Sequence, residues 1–225
     1  MRLRADFGEQ AAVTPDQYDW VPSPAPGVER MMLDRVGEEV ARATSIVRYA
    51  PNSRFPAHEH GGGEEILVLD GEFGDEHGVY PAGYYLRNPI GTRHSPRIGS
   101  EGATIFVKLH QFAADDAAQL AIDTGKGGWT PGRVNGVEIQ PLHRHREENV
   151  FLMRWAPDTA YPEHVHTGGE EVLVLEGAFH DEDGHYPKGS WVRYPDGSRH
   201  APYTLAEGAL LFVKEGHLPS GDSPQ

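Results

Sequence analysis

His58-Glu59-His60-Gly61-Gly62-Gly63-Glu64 returns later in the chain as His164-Val165-His166-Thr167-Gly168-Gly169-Glu170. Downstream, Gly83, Pro89, Gly91 and His94 return as Gly189, Pro195, Gly197 and His200. Every pair keeps one offset, 58 to 164 and 94 to 200 alike. Each copy therefore offers three imidazoles and a carboxylate, donors suited to a divalent transition metal. On a strand, residues i and i+2 share a face, so His58 and His60 point the same way. The glycines can take backbone conformations closed to other residues and return Glu64 to face them. His94, after a Pro-x-Gly turn, completes the set. A His-x-His pair alone is more often a solvated surface pair. The added Glu, the third His and the duplication decide for ligands.

The repeat extends beyond these motifs. Between 58–110 and 164–216 more than half of the positions are identical without a gap; Leu67-Val68-Leu69 matches Leu173-Val174-Leu175, and Asp75-Glu76 matches Asp181-Glu182. Upstream, Trp20 aligns with Trp129 at a slightly larger offset. The change requires a short deletion near 143–149, where the first copy has the hairpin-like Gly37-Glu38-Glu39. Within each copy, short apolar runs alternate with Gly, Pro and Asp turns, the pattern of a sandwich or barrel. The expected organisation is all-β, with a domain at 1–112, a linker at 113–128, a second domain at 129–216 and a frayed tail at 217–225.

These spacings resemble the two cupin motifs. His58, His60, Glu64 and Gly71 match the first, as do His164, His166, Glu170 and Gly177. Gly83, Pro89, Gly91 and His94 match the second, as do Gly189, Pro195, Gly197 and His200. An Asn that sometimes follows the last His is replaced by Ile98 and Thr204. The resemblance implies two tandem jelly-roll β-barrels, each holding a metal. The run Gly62 to Phe73, with Asp75-Glu76, Tyr80-Pro81-Ala82-Gly83 and Arg87-Asn88-Pro89, resembles the cupin part of ChrR-type anti-sigma factors. That resemblance implies a zinc-binding stress sensor or regulatory module. Bicupins similar to this one also include metal-dependent dioxygenases, decarboxylases and isomerases. The expected cofactors are two divalent metals per chain, zinc first, with iron, manganese or nickel as alternatives.

Composition narrows the partners. With 20 Lys and Arg against 34 Asp and Glu, the formal charge is −14. An acidic surface repels phosphate backbones and anionic lipid, so neither nucleic acid nor membrane is an expected partner. There is no cysteine, which removes disulfides, thiolate nucleophiles and Cys-ligated metals. The helical zinc domain of ChrR-type proteins uses His and Cys, and about 19 residues precede the first repeat. Sigma-factor binding is therefore not expected; a small-molecule ligand and a homodimer are. No export signal is read at the start, and a cytoplasmic location is expected.

Several further residues receive expectations. Glu65 and Glu171 are read as supporting groups, or as salt-bridge partners of Arg93 and Arg199. Arg48, Arg154, Arg87 and Arg193 are read as structural ion-pair partners. Tyr84, Tyr85, Trp191, Phe55 and Tyr161 are read as interior fillers. His77, His110, His143, His145, His180, His185 and His217, unmatched between copies, are read as exposed.

Overall fold

A computed structural model describes residues 1–38 and 40–219. Glu39 of the expected hairpin tip and residues 220–225 of the expected tail lie outside the described residues. The chain divides into two compact units, one of Met1–Ala5 with Asp19–Lys126, the other of Asp6–Tyr18 with Gly127 onward. Both are built from antiparallel strands. The helical pieces among the described residues are two short turns, Pro15–Gln17 and Thr124–Lys126.

In the first unit the main sheet runs Arg2–Leu3, Val28–Gly37, Ala41–Tyr49, Arg97–Leu109, Glu64–Gly74, Tyr84–Asn88, Leu120–Asp123. Ala41–Tyr49 thus pairs with a strand far along the chain rather than with its successor, the crossover expected of a jelly roll. A separate pair, His58–Glu59 with Arg93–His94, closes one side. The second unit repeats this order: Thr130–Pro131, Val137–His145, Glu148–Trp155, Ala209–Glu215, Glu170–His180, Trp191–Tyr194, Ala11–Val13. His164–Val165 pairs with Arg199–His200. The fold is two tandem jelly-roll sheets, as the repeat and its resemblance implied.

Alternation on the central strand sorts the side chains. Ile66 and Val68 join Phe73, Leu86, Ile105 and Val107 in one buried cluster. Val172, Val174, Phe179, Val192, Leu211 and Val213 form its counterpart. Each such residue contributes about 1.5–3 kcal/mol on full burial. Gly71 and Gly177 follow the central runs with φ +69° and +65°. A Cβ on either would fall 2.1 Å from the carbonyl oxygen of Gly102 or Gly208. The motif glycine is thus fixed by the close approach of a neighbouring strand as well as by φ.

The opposite face of each sheet buries charge. Arg87 is fully buried, 3.2 Å from Glu65 and 2.5 Å from Asp116, with its guanidinium over the Phe112 ring. Arg193 donates to the backbone carbonyls of Asp6 (2.7 Å) and Glu9 (3.4 Å) and lies over Phe7. Tyr85 pairs with Leu67, not with the Ile66 side of the strand, so it is buried on this face and not in the barrel interior. Its hydroxyl donates to Glu65 at 2.5 Å.

The division of the chain differs from the expected one. Residues 113–128 do not simply link two barrels: Leu120–Asp123 is the end strand of the first sheet, paired with Tyr84–Arg87. Likewise Ala11–Val13 ends the second sheet, paired with Trp191–Arg193. Thr124 Oγ1 donates to Gly83 O at 2.6 Å, and the Tyr18 hydroxyl donates to Gly189 O at 2.5 Å. The segment ahead of each repeat therefore completes the sheet of the other. Unpaired strand edges need covering, and these arms cover equivalent edges.

Candidate metal centres

In the first unit, His58 and His94 sit opposite one another on the two short paired strands. The ring of His60 lies 5.2 Å from that of His58 and 4.6 Å from that of His94. Glu64 opens the central strand, and its Oε2 is 3.2 Å from His60 Nε2 and 3.5 Å from His94 Nε2. One donor atom from each of the four residues lies within 4.8 Å of the others.

The outward nitrogens fix the tautomers. His58 Nδ1 is 3.2 Å from the Pro56 carbonyl, which can only accept. His60 Nδ1 is 2.9 Å from Thr92 Oγ1, whose own proton goes to Pro89 O at 2.6 Å, so Thr92 also accepts. His94 Nδ1 is 3.3 Å from Asp75 Oδ2. In its neutral form each of the three rings thus carries the proton on Nδ1 and turns an Nε2 lone pair inward; when protonated, His60 and His94 present an Nε2–H to Glu64 instead. The Nε2 atoms of His60 and His94 are buried without a hydrogen-bond partner. Buried lone pairs facing a carboxylate are costly unless a cation joins them. Ligands bonded at about 2.0–2.1 Å lie about 3.3 Å apart around a tetrahedral zinc, close to the distances to Glu64. The donor set fits a divalent metal.

Electrostatics agree. Burial alone would raise Glu64; His60, His94 and the Asn88 amide (3.0 Å) outweigh it and hold the carboxyl below its usual range. Burial lowers His58, keeping it neutral and ready to ligate. His94 is raised because Asp75 and Glu64 overcome its burial. Asp75 is lowered, since His94 and the backbone N–H groups of His77 and Gly78 outweigh its own burial.

The second unit repeats the frame with changes. His164 and His200 are opposite one another, His164 Nδ1 meets Pro162 O at 3.2 Å, and His200 Nδ1 meets Asp181 Oδ2 at 3.3 Å. His164, His166 and His200 converge, and His166 Nε2 is buried without a partner. Glu170 stands apart from this group of three, with Oε2 3.7 Å from His166 Nδ1. The position of Asn88 is taken by Tyr194, which stacks on His166 and donates to Asp181 at 2.5 Å. Among the described residues, no side-chain amide donates to Glu170 as Asn88 does to Glu64.

A cavity of about 760 Å³ in this second unit reaches His164, His166 and His200. Its walls include Phe151, Met153, Trp155, Tyr161, Leu211 and Val213, with Asn149 and Glu215 also lining it. Glu215 is raised by its burial and by Glu170.

The repeat showed Asp75 and Asp181 as duplicated positions, but they read as turn residues. Their part in aiming His94 and His200 needs the fold. Other expectations are corrected. Arg93 lies 3.7 Å from Glu59 and Arg199 lies 3.5 Å from Glu163. Glu65 instead meets Tyr85 and Arg87, and Glu171 meets His217 at 2.8 Å. The His217 side chain is buried by that pair, not exposed. Arg154 is the structural ion-pair partner expected, 2.6 Å from Glu138 and over the Trp129 ring, and Arg48 lies over the Trp20 ring.

The sequence matches the family model of the ChrR cupin-like domain twice, at residues 8–113 and 117–219. The chain belongs to the ChrR cupin-like family. No curated protein sequence matches it. Among solved structures, this cupin chain is similar to a candidate dioxygenase from Nostoc punctiforme, at 20% identity and TM-score 0.73, covering 97% of this chain and 83% of that one. It is similar to Ylba from E. coli, at 15% identity and TM-score 0.69, covering 97% and 94%. It is also similar to a mutant of the Bacillus subtilis oxalate decarboxylase OxdC, at 13% identity and TM-score 0.65, covering 93% and 78%. At these identities the likeness is one of fold. Among the described residues, no helix is long and apolar enough to cross a membrane.

Proposed function

We propose that this cupin is a metal-dependent enzyme acting on a small molecule, with its reaction centre in the second unit and a structural metal in the first. The observation that carries this reading is the cavity of about 760 Å³ that reaches the three histidines of the second unit. A cavity of this size and lining is typical of small-molecule sites. His58, His60, Glu64 and His94 supply four protein donors, enough to saturate a tetrahedral zinc. His164, His166 and His200 converge without Glu170, leaving room for a substrate beside a metal such as iron or manganese. That metal would act as a Lewis acid or redox centre toward a bound substrate. Oxalate, the substrate named for one structural neighbour, offers no apolar surface to Phe151, Trp155 or Leu211. An oxygenase reaction on an apolar-bodied substrate suits the walls better, in line with the candidate dioxygenase among the neighbours.

The test is cobalt substitution with azide as a probe of open coordination. One site per chain should respond in the visible spectrum. The response should vanish in His164→Ala and persist in His58→Ala. Two unresponsive sites would overturn the reading. A second reading, a zinc-dependent regulatory module, is favoured by the four-donor site of the first unit and by the resemblance to ChrR-type anti-sigma factors. It gains if metal analysis finds zinc in both sites and oxygen uptake with the iron form is nil. Capture of a sigma factor by pull-down would support it further.

A further inference from the structure

Among the differences between the two barrels is a cross-strand pair beside Glu64 and Glu170. In the first unit Ala43 pairs with Leu109, and Leu109 pairs in turn with Glu64. In the second, Asn149 pairs with Glu215, and Glu215 pairs with Glu170. The register is the same, but an apolar pair has become a polar one. Asn149 Nδ2 donates to Glu215 Oε1 at 3.0 Å, and both residues line the cavity. The amide occupies one carboxylate oxygen and leaves the other for a guest. The apolar boundary comes from other residues. Trp155 and Tyr161 have ring centroids 5.5 Å apart, and Tyr161 lies 5.1 Å from His164. This aromatic wall leads directly to a candidate metal ligand. Leu211 and Val213, on the strand that carries Glu215, add aliphatic surface.

Arg133, Arg144, Glu147 and Glu170 also line the cavity, and a half-buried carboxylate beside the apolar walls is costly unless something donates to it. Asn149 meets part of that need. We infer that the second barrel binds a flat, apolar molecule carrying a hydroxyl or N–H donor, whose body lies along Trp155 and Tyr161 and whose donor is read by the Glu215–Asn149 pair. The inference rests on the proposed open metal site of that barrel and adds the chemistry of its guest. Glu215 is here a specificity residue, and the first barrel, with Leu109 in its place, has no equivalent reader.

The test uses the full chain loaded with cobalt and hydroxamates that chelate the metal. Acetohydroxamate has the chelating group alone. Benzohydroxamate adds the flat body. The 3-hydroxy and 4-hydroxy derivatives add a donor, and the matching methoxy compounds fill similar space without one. Affinity and stoichiometry are read by calorimetry and by the cobalt spectrum. Binding should be one per chain, with benzohydroxamate tighter than acetohydroxamate. At least one hydroxy compound should bind about tenfold more tightly than its methoxy partner, the scale of a hydrogen bond to a charged group. Glu215→Leu, which installs the first barrel's residue, should reduce that preference to about twofold or less. Retained benzohydroxamate binding also shows that the variant is folded. Glu215→Gln, which keeps an acceptor, should retain part of the preference. Equal affinities for the hydroxy and methoxy pairs, or a preference that survives Glu215→Leu, would overturn the inference while the azide response keeps the open metal site. Absence of any spectral response to azide and hydroxamates alike would overturn both.

Discussion

Asp75 Oδ2 lies 3.3 Å from His94 Nδ1, and Asp181 Oδ2 lies 3.3 Å from His200 Nδ1. In both units a buried carboxylate turns the last histidine so that its other nitrogen faces the candidate metal. Such partners fix ring orientation and raise ligand basicity, and their loss typically costs 10–100-fold in metal affinity. Asp75→Asn should weaken one metal site by about that factor and leave the other unchanged. Competition with a chromogenic chelator measures it. Unchanged affinity at both sites would remove Asp75 from any role in metal binding.

The two ligand sets are contained in separate repeats, so their metals should be lost separately. His58→Ala should lower the metal content by one ion per chain, as should His164→Ala, by elemental analysis of protein purified without a chelating column. Loss of both ions in either variant would show that the sites depend on each other.

The shifted groups give the metal-free protein opposing pH trends. Glu64, Asp75, Glu170 and Asp181 are held below their unfolded values. Their contribution to stability is present above about pH 4 and is lost as pH falls through the folded values. His58 and His164 are also lowered, by burial, so stability falls as pH drops below about 6.5 and they must charge. His94 is raised, so its contribution is present below about pH 6.5 and is lost as pH rises through its folded value. Metal binding adds a steeper dependence, because His94 must release its proton to ligate. Affinity of the first site should therefore begin to fall at higher pH than for an unshifted histidine. Asp75→Asn should move that onset downward. Chelator competition between about pH 5.5 and 8 covers the range; a flat profile would contradict three-histidine ligation.

Arg87 supports the first sheet from its other face. Arg87→Ala leaves Glu65 and Asp116 buried without their guanidinium, which should cost about 3–5 kcal/mol. Denaturant unfolding of the metal-free chain gives the number. A loss under about 1 kcal/mol would place the pair among ion pairs of little net effect.

Residues 6–18 complete the second sheet. A chain beginning at residue 19 exposes the edge at Trp191–Tyr194, where Val13, Ala12 and Ala11 had paired. Hydrogen exchange there should rise markedly, while Tyr84–Asn88 keeps its protection from Leu120–Asp123. A synthetic peptide of residues 6–18 should restore protection at the exposed edge. No change at Trp191–Tyr194 on truncation would show that the arm contributes little.

The sequence by itself determined the all-β character, the doubling and the histidines that cluster in each unit. These rest on local signals: His58, His60 and Glu64 lie within seven positions, and the turn glycines and prolines that bring His94 round are adjacent to it. Strand alternation and turn chemistry act over such distances, so they can be read before folding. Only the tertiary structure decided the rest. Short strands such as Ala11–Val13 and Leu120–Asp123 carry too little pattern to name their partners, and their pairing depends on which edge the completed sheet leaves open. The same holds for Asp75 against His94 and Asn149 against Glu215, pairs separated by 19 and 66 residues. Their proximity comes from the register of strands across the barrel, which the packing of both buried faces sets together.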